Sequence, residues 1–244
     1  MSLDGASVLV TGGTRGIGLA IAHRLVRDGA GRVVLGYLRN DAAAEAAAEE
    51  MRELGVQVDL ARGNVASAST IEKLAAAGPY RVVVHNAATG VIRPALETED
   101  KHWDWTMNAN ARSLLALARA TVPGMESGSA IVAISSLGSR LVLDHYVLVG
   151  TSKAALESVM RYLAVELAPR GIRVNAVSAG VVDTEALEWF PNKEEMLATV
   201  DRTPAGRLVE PADVAAAVSF LCSGDAAMVC GQTLVVDGGF SLKA

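Results

Sequence analysis

Aromatic residues are scarce in this chain: three Trp, four Tyr and three Phe make up 4% of 244 residues. A core cannot be built on ring packing here. With 51% of residues hydrophobic, it must be built from Ala, Val and Leu, which favours helices packed closely on a parallel sheet over an aromatic-rich β-sandwich. Cysteine is scarcer still. Cys222 and Cys230 are too few and too badly placed for a disulfide framework or a metal cluster, and a reducing compartment fits. No apolar run approaches the roughly 20 residues needed to cross a bilayer. Positive charge is not in excess either: 22 Lys and Arg against 27 Asp and Glu give a net charge of −5, which argues against a nucleic-acid partner. A strand-like run begins at Val8, so no leader peptide is expected, and the chain reads as soluble and cytoplasmic.

What is present is an alternation. Short β-branched runs at residues 8–10, 32–37, 56–60, 81–85, 130–135, 173–177 and 233–236 are separated by helical patterns. Two of those patterns, at 17–27 and 41–54, are amphipathic, and Asp41 is the expected N-cap of the second. Such alternation implies right-handed βαβ crossovers. The expected fold is a single Rossmann-like, doubly wound α/β domain over residues 1–244, with a seven-stranded parallel sheet flanked by helices. Only residues 185–207 break the rhythm. That stretch is polar with apolar punctuation, contains Pro191 and Pro204, and reads as a lid over a site. Leu187, Trp189, Phe190 and Met196 are its candidates for packing on a substrate chain.

The first strand runs into a glycine-rich turn, Thr11-Gly-Gly-Thr-Arg-Gly-Ile-Gly18, that opens a helix. Gly12, Gly16 and Gly18 let the turn tighten and the backbone approach a pyrophosphate, while the helix N-terminus offers free N–H groups. Thr14, Arg15 and Ile17 complete that candidate site. The second strand ends Leu35-Gly-Tyr-Leu-Arg-Asn, without the carboxylate that usually bonds the ribose hydroxyls of NAD. Arg15 and Arg39 can form a cationic fork for a 2′-phosphate instead, so NADPH is the expected cofactor. Either arginine alone would read as a solvated surface residue.

A further absence is catalytic. Tyr146 and Lys153 stand seven positions apart, and Val149, four residues before the lysine, has no proton to give. Over nearly its whole length the chain resembles a short-chain dehydrogenase/reductase. Within that superfamily it is most similar to the type III enoyl-acyl-carrier-protein reductases, which share the Tyr-x6-Lys spacing. The stretches that carry the likeness are Asn86-Ala-Ala-Thr-Gly-Val-Ile-Arg-Pro, His102-Trp-Asp-Trp-Thr-Met-Asn-Ala-Asn, Ser135-Ser-Leu-Gly-Ser, Phe190-Pro-Asn and Thr203-Pro-Ala-Gly-Arg.

The resemblance implies roles. Asn64 and Val65 follow the third strand where the superfamily keeps Asp-Val against the adenine, and Asn86, Ala87 and Ala88 stand at the motif bordering the cofactor. Gly180, Val182 and Thr184 belong to the segment that contacts the carboxamide, with Ala179 in place of its usual Pro. Lys153 serves the nicotinamide ribose, and Tyr146 is the donor. Ser136 orients substrate, with Ser135 as its rival. Asn110 is the structural Asn that supports a proton relay, with Asn108 as its rival. Seven helical residues span about 10.5 Å against about 6 Å for four, so the phenol moves outward. That suits a carbonyl one bond pair removed from the carbon receiving hydride, as in a 2-enoyl thioester.

The implied reaction is NADPH-dependent reduction of a trans-2-enoyl thioester, on acyl-carrier protein or coenzyme A, in fatty-acid or polyketide synthesis. A 3-oxoacyl-thioester ketoreductase and a non-catalytic NADPH-binding scaffold remain open at this point. Arg93, Lys101, Lys193, Arg202 and Arg207 are candidates for a basic patch that docks the anionic carrier. The stretches 97–121 and 146–167 correspond to the long helices that pair across subunits in the superfamily, and a homotetramer is expected. No metal site is implied.

Overall fold

The computed structural model describes residues 3–184, 187 and 192–243. Seven parallel strands form one sheet: β1 (Ser7–Thr11), β2 (Arg32–Tyr37), β3 (Gln57–Arg62), β4 (Val82–His85), β5 (Ala130–Ser136), β6 (Arg173–Ala179) and β7 (Thr233–Val236), in the order β3-β2-β1-β4-β5-β6-β7. The order reverses between β1 and β4, and a crevice opens there at the carboxyl ends of the strands. This is the seven-stranded, doubly wound Rossmann-like arrangement expected from the alternation.

Helices α1 (Gly16–Arg27), α2 (Asp41–Glu53) and α8 (Pro211–Cys222) cover one face; α3 (Ala68–Ala76), α4 (Asp100–Met107), α5 (Ser113–Thr121) and α6 (Val147–Leu167) cover the other. Strand residues alternate between the two layers. Val8, Val10, Val82 and Val84 face the first, and Leu9, Val83, Ile131 and Ala133 face the second. Among the described residues, the largest side chains buried to below 2% exposure are Leu, Ile and Met, with no Phe, Tyr or Trp, in keeping with the composition. A short helix, α7 (Lys193–Leu197), lies in the expected lid, where Leu187 is buried and Met196 half-buried. Trp189 and Phe190 lie outside the described residues. Among those described, no helix is long and apolar enough to cross a membrane.

Three local expectations are corrected. Asn40, not Asp41, caps α2: its side chain accepts from the Ala43 N–H at 3.0 Å, a contact worth about 1 kcal/mol. Asp41 is drawn off by Tyr37 Oη at 2.8 Å and by Arg62 Nη1 at 3.1 Å. The helix expected from residue 97 begins at Asp100, after a 3-10 turn over Ala95–Glu97, and is interrupted by a π-turn over Asn108–Arg112 before α5 continues to Thr121. Tyr146 is the N-cap of α6, with φ −101° and ψ 10°, not its first helical residue. Its carbonyl still accepts the Gly150 N–H at 2.7 Å, so the step to Lys153 stays close to a helical one.

Candidate active site at the carboxyl ends of the strands

The glycine turn is closed from the other side of the crevice. Thr11 Oγ1 accepts the backbone N–H groups of Asn86 and Ala87 at 3.0 and 3.1 Å, while Asn86 Nδ2 donates to the carbonyls of Thr11 and Gly12 at 3.0 Å each. A Cβ on Gly18 would collide with the Gly12 carbonyl and stand 2.6 Å from Asn86 Nδ2. Glycine is therefore required there for close packing of helix on strand. Gly12 has φ +64° and Gly16 φ +52°, a region that a β-carbon disfavours. No side chain caps α1: its N-cap residue Arg15 is extended and makes no side-chain cap bond. The positive end of the helix dipole is thus presented with a narrow glycine cradle, which fits a dinucleotide phosphate.

The rest of the expected cofactor set lies in the segments that follow the strands. Thr14 is buried and Ile17 half-buried in the turn. Thr184 lies 3.7 Å from where a Cβ of Gly16 would sit, and Gly180 abuts Asp237 closely enough that a Cβ would stand 3.1 Å from its Cα. The Val182 side chain is buried in the core, and its backbone forms an isolated parallel bridge with Val209. Asn64 spends its side-chain Oδ1 on the Ala66 N–H at 2.9 Å, shaping the turn beside Val65. Ala88 is exposed beyond Ala87. Arg15 and Arg39 are both exposed at the ends of their loops, and Asp41 is held by Tyr37 and Arg62.

The catalytic candidates converge from β5, the π-turn and α6. The Tyr146 hydroxyl donates to Ser136 Oγ at 3.4 Å. Burial raises the phenol above its usual pKa, with the Ser136 contact opposing the shift, so the hydroxyl remains a donor across the neutral range. Ser135 points elsewhere, into a bond with Glu157 at 2.6 Å, which separates it from Ser136. Lys153 is 4% exposed and its ammonium donates to the Ile134 carbonyl at 2.7 Å. Desolvation pulls its pKa from 10.5 to about 8, while the nearby Glu157 charge opposes the fall.

Asn110 is fully buried at the centre of the π-turn. Its side chain bonds both backbone groups of Thr89, at 2.9 and 2.8 Å, and donates to Ser152 Oγ at 2.8 Å. It thereby clamps the β4 loop to α6 beside Lys153. Asn108 instead accepts from Arg112 Nε at 2.7 Å on the exposed side. Val149 is buried, and its Cγ2 fills the space that a Cβ on Gly90 would need.

Several contributors escaped the sequence reading. His145, next to the tyrosine, has φ +60° and its carbonyl accepts the Arg93 N–H at 2.9 Å. His85 is fully buried with Nε2 2.7 Å from Ser113 Oγ. Because that hydroxyl donates to the Ala109 carbonyl, the imidazole must carry its proton on Nε2. Burial, then the Lys153 charge, lowers its pKa to about 3. Three of the basic candidates have partners of their own. Lys101 pairs with Glu99 at 2.7 Å, Arg207 with Asp213 at 2.6 Å, and Arg202 stacks 5.4 Å from the Phe240 ring centroid.

A parallel sheet with a glycine turn at its switch point, and a Tyr, Lys, Ser and Asn set beside it, defines a nucleotide-dependent oxidoreductase site. Residues 12–241 match the family described as Enoyl-(Acyl carrier protein) reductase. The chain belongs to that family, within the short-chain dehydrogenase/reductases. It is 38% identical, over 97% of its length and 87% of the relative's, to 1-cyclohexenylcarbonyl-CoA reductase of Streptomyces collinus. A tropinone reductase homolog of Arabidopsis thaliana is 34% identical, with 99% and 94% covered. A short chain dehydrogenase from Burkholderia cenocepacia J2315, solved in complex with NADP, superposes with a TM-score of 0.91 at 31% identity, covering 99% of this chain and 100% of that one.

Proposed function

We propose that this oxidoreductase is an NADPH-dependent trans-2-enoyl-thioester reductase, acting in the cytoplasm on an acyl group carried by coenzyme A or acyl-carrier protein, in fatty-acid or polyketide synthesis. The observation that carries the reading is the pairing of Tyr146 with Ser136 while Val149, at the tyrosine's usual station, is buried against Gly90. The glycine cradle and the exposed Arg15 and Arg39 fit NADPH, and the neighbour solved with NADP supports it. The relative named for a cyclohexenylcarbonyl-CoA substrate supports an unsaturated thioester.

When bound, NADPH would supply hydride to C3 of the enoyl group. The negative charge that develops on the thioester oxygen needs a donor, and Tyr146, kept protonated by its burial, supplies one. Lys153 adds positive potential from behind and holds the ribose. Asn110 fixes the helix from which Lys153 projects. Saturation is completed by a proton arriving at C2.

Crotonyl-CoA and acetoacetyl-CoA, each followed by NADPH absorbance, test the assignment. Turnover of the first with little of the second is expected. The reverse preference would make the enzyme a ketoreductase, an outcome for which the tropinone reductase homolog gives a precedent. NADPH binding without turnover of either would indicate a non-catalytic scaffold.

A further inference from the structure

Lys153 is not the only charge on the buried face of α6. Glu157 follows one helical turn later and is 3% exposed. A carboxylate taken that far from water is costly unless its oxygens are bonded. Oε1 accepts from both Ser135 Oγ and Ser139 Oγ, at 2.6 Å each, and Oε2 lies 3.6 Å from Arg140 Nε at the rim. Ser135 lies at the end of β5, and Ser139 ends the 3-10 turn Leu137–Ser139 that follows. One oxygen therefore closes the loop that contains Ser136, the partner of Tyr146, and Gly138, against which the Tyr146 ring rests. Lys153 grips the same strand one residue earlier, at Ile134.

We propose that Glu157 is a positioning residue of this site, tying Ser135 to Ser139 so that Ser136 and Gly138 are held for Tyr146, and supplying the negative charge that keeps the Lys153 ammonium protonated in the core. The inference rests on the reading that a charged Lys153 is needed for turnover. Lys153 is faced by His85 from β4, which is neutral above about pH 3, by the Ile134 carbonyl from β5, and by Glu157 from its own helix. Glu157 is faced by Ser135, Ser139 and Arg140. The π-turn brings Asn110, and β6 brings Ser178, beside Ser135 in the β5–β6 register, neither of which carries charge. Helices α4 and α5 also pack on α6; their charged groups Asp100, Lys101, Asp104 and Arg119 are exposed, and His102 is half-buried.

Glu157→Gln separates the two roles, because an amide oxygen can still accept both serine hydroxyls but carries no charge. The Lys153 signal can be followed directly in cofactor-free protein by NMR of 13C-labelled lysine. There are five lysines, and Lys153→Ala identifies the one that matters. In Glu157→Gln the Lys153 titration should move down by about one pH unit. With crotonyl-CoA, Glu157→Gln should recover most of the turnover at pH 6 that Glu157→Ala loses, and fall about fivefold behind wild type by pH 8. An unmoved Lys153 titration, or an equal loss by Glu157→Gln at both pH values, overturns the proposal. If Lys153→Ala itself turns over crotonyl-CoA normally, the underlying reading fails instead, and the NMR titration still judges the electrostatic part alone.

Discussion

The ring of Tyr146 occupies the space that a side chain at position 138 would take. A Cβ on Gly138 would stand 2.5 Å from Cδ1 and 2.6 Å from Cε1 of that ring. Gly138→Ala should therefore push the phenol out of line and lower kcat by roughly 10–100-fold, since misplacement by about an ångström is enough. NADPH affinity, measured by fluorescence titration, should stay within about twofold. A fully active Gly138→Ala enzyme would mean that the ring does not work where it now lies.

Tyr146→Phe removes only the hydroxyl. Loss of a single oxyanion donor lowers kcat by roughly 10²–10³, with NADPH binding nearly unchanged. Adding Val149→Tyr to that variant tests the spacing. Val149 is packed over Gly90, so a phenol there would have to grow out beside the β4 loop, and enoyl reduction should not return. Recovery of wild-type kcat in the double variant would sink the link between spacing and reaction.

Arg39→Ala should raise the KM for NADPH by roughly tenfold or more, because a charged hydrogen bond to phosphate contributes about 1.5–3 kcal/mol. NADH kinetics should hardly change. Steady-state kinetics with both cofactors decide it, and a wild type that uses the two equally would refute the expectation.

His85 predicts an acid-sensitive fold. Its folded pKa of about 3 lies below the unfolded value of 6.5. The unfolded chain therefore takes up a proton first, and stability is lost as pH falls from 6.5 towards 3. The penalty reaches about 2 kcal/mol at pH 5. Above pH 6.5 the group contributes no pH dependence. Urea unfolding of wild type and His85→Asn at pH 5 and pH 8 should show a steeper loss in the wild type; equal slopes would remove His85 as the cause.

Trp103 and Trp105 of α4, Tyr162 and Val165 of α6, Phe220 of α8, and Leu234 and Val235 of the edge strand β7 are exposed large apolar side chains. Exposed apolar patches of this kind mark association surfaces. The expected assembly is a tetramer with two-fold axes, and light scattering should report four chains. A Tyr162→Glu, Val165→Glu variant should stop at dimers. Monomeric wild type at working concentration would exclude the tetramer.

The strands and the glycine turn were legible in the sequence because both are written in local terms: β-branched runs, and glycines where a turn must approach a helix. Tyr146, Lys153 and Asn110 were legible through spacing within stretches of family resemblance. Ser135 and Ser136 could not be separated by sequence, since adjacent residues on a strand point to opposite faces and the pattern does not say which face holds Tyr146. The partners of the basic candidates were not legible either, because charge counts ignore pairing, and Glu99 and Asp213 hold Lys101 and Arg207. Glu157 left a trace that could have been read. It falls on the apolar stripe of α6 with Leu156 and Met160, one turn from Lys153, where an unexplained carboxylate is out of place. His145 left none, because a positive φ outside glycine has no compositional mark.

The π-turn over Asn108–Arg112 holds one more residue than an α-turn would. No substitution can add or remove that residue; only an insertion or deletion can. Taking that residue out would close the turn to an α-turn and leave the flanking helices α4 and α5 nearly in phase, so the cost would fall on the turn itself. Asn110 reaches Thr89 and Ser152 from that wide turn, and narrowing it would withdraw the side chain from both. The clamp on the Lys153 helix is thus fixed by a whole number of residues and not by residue type alone.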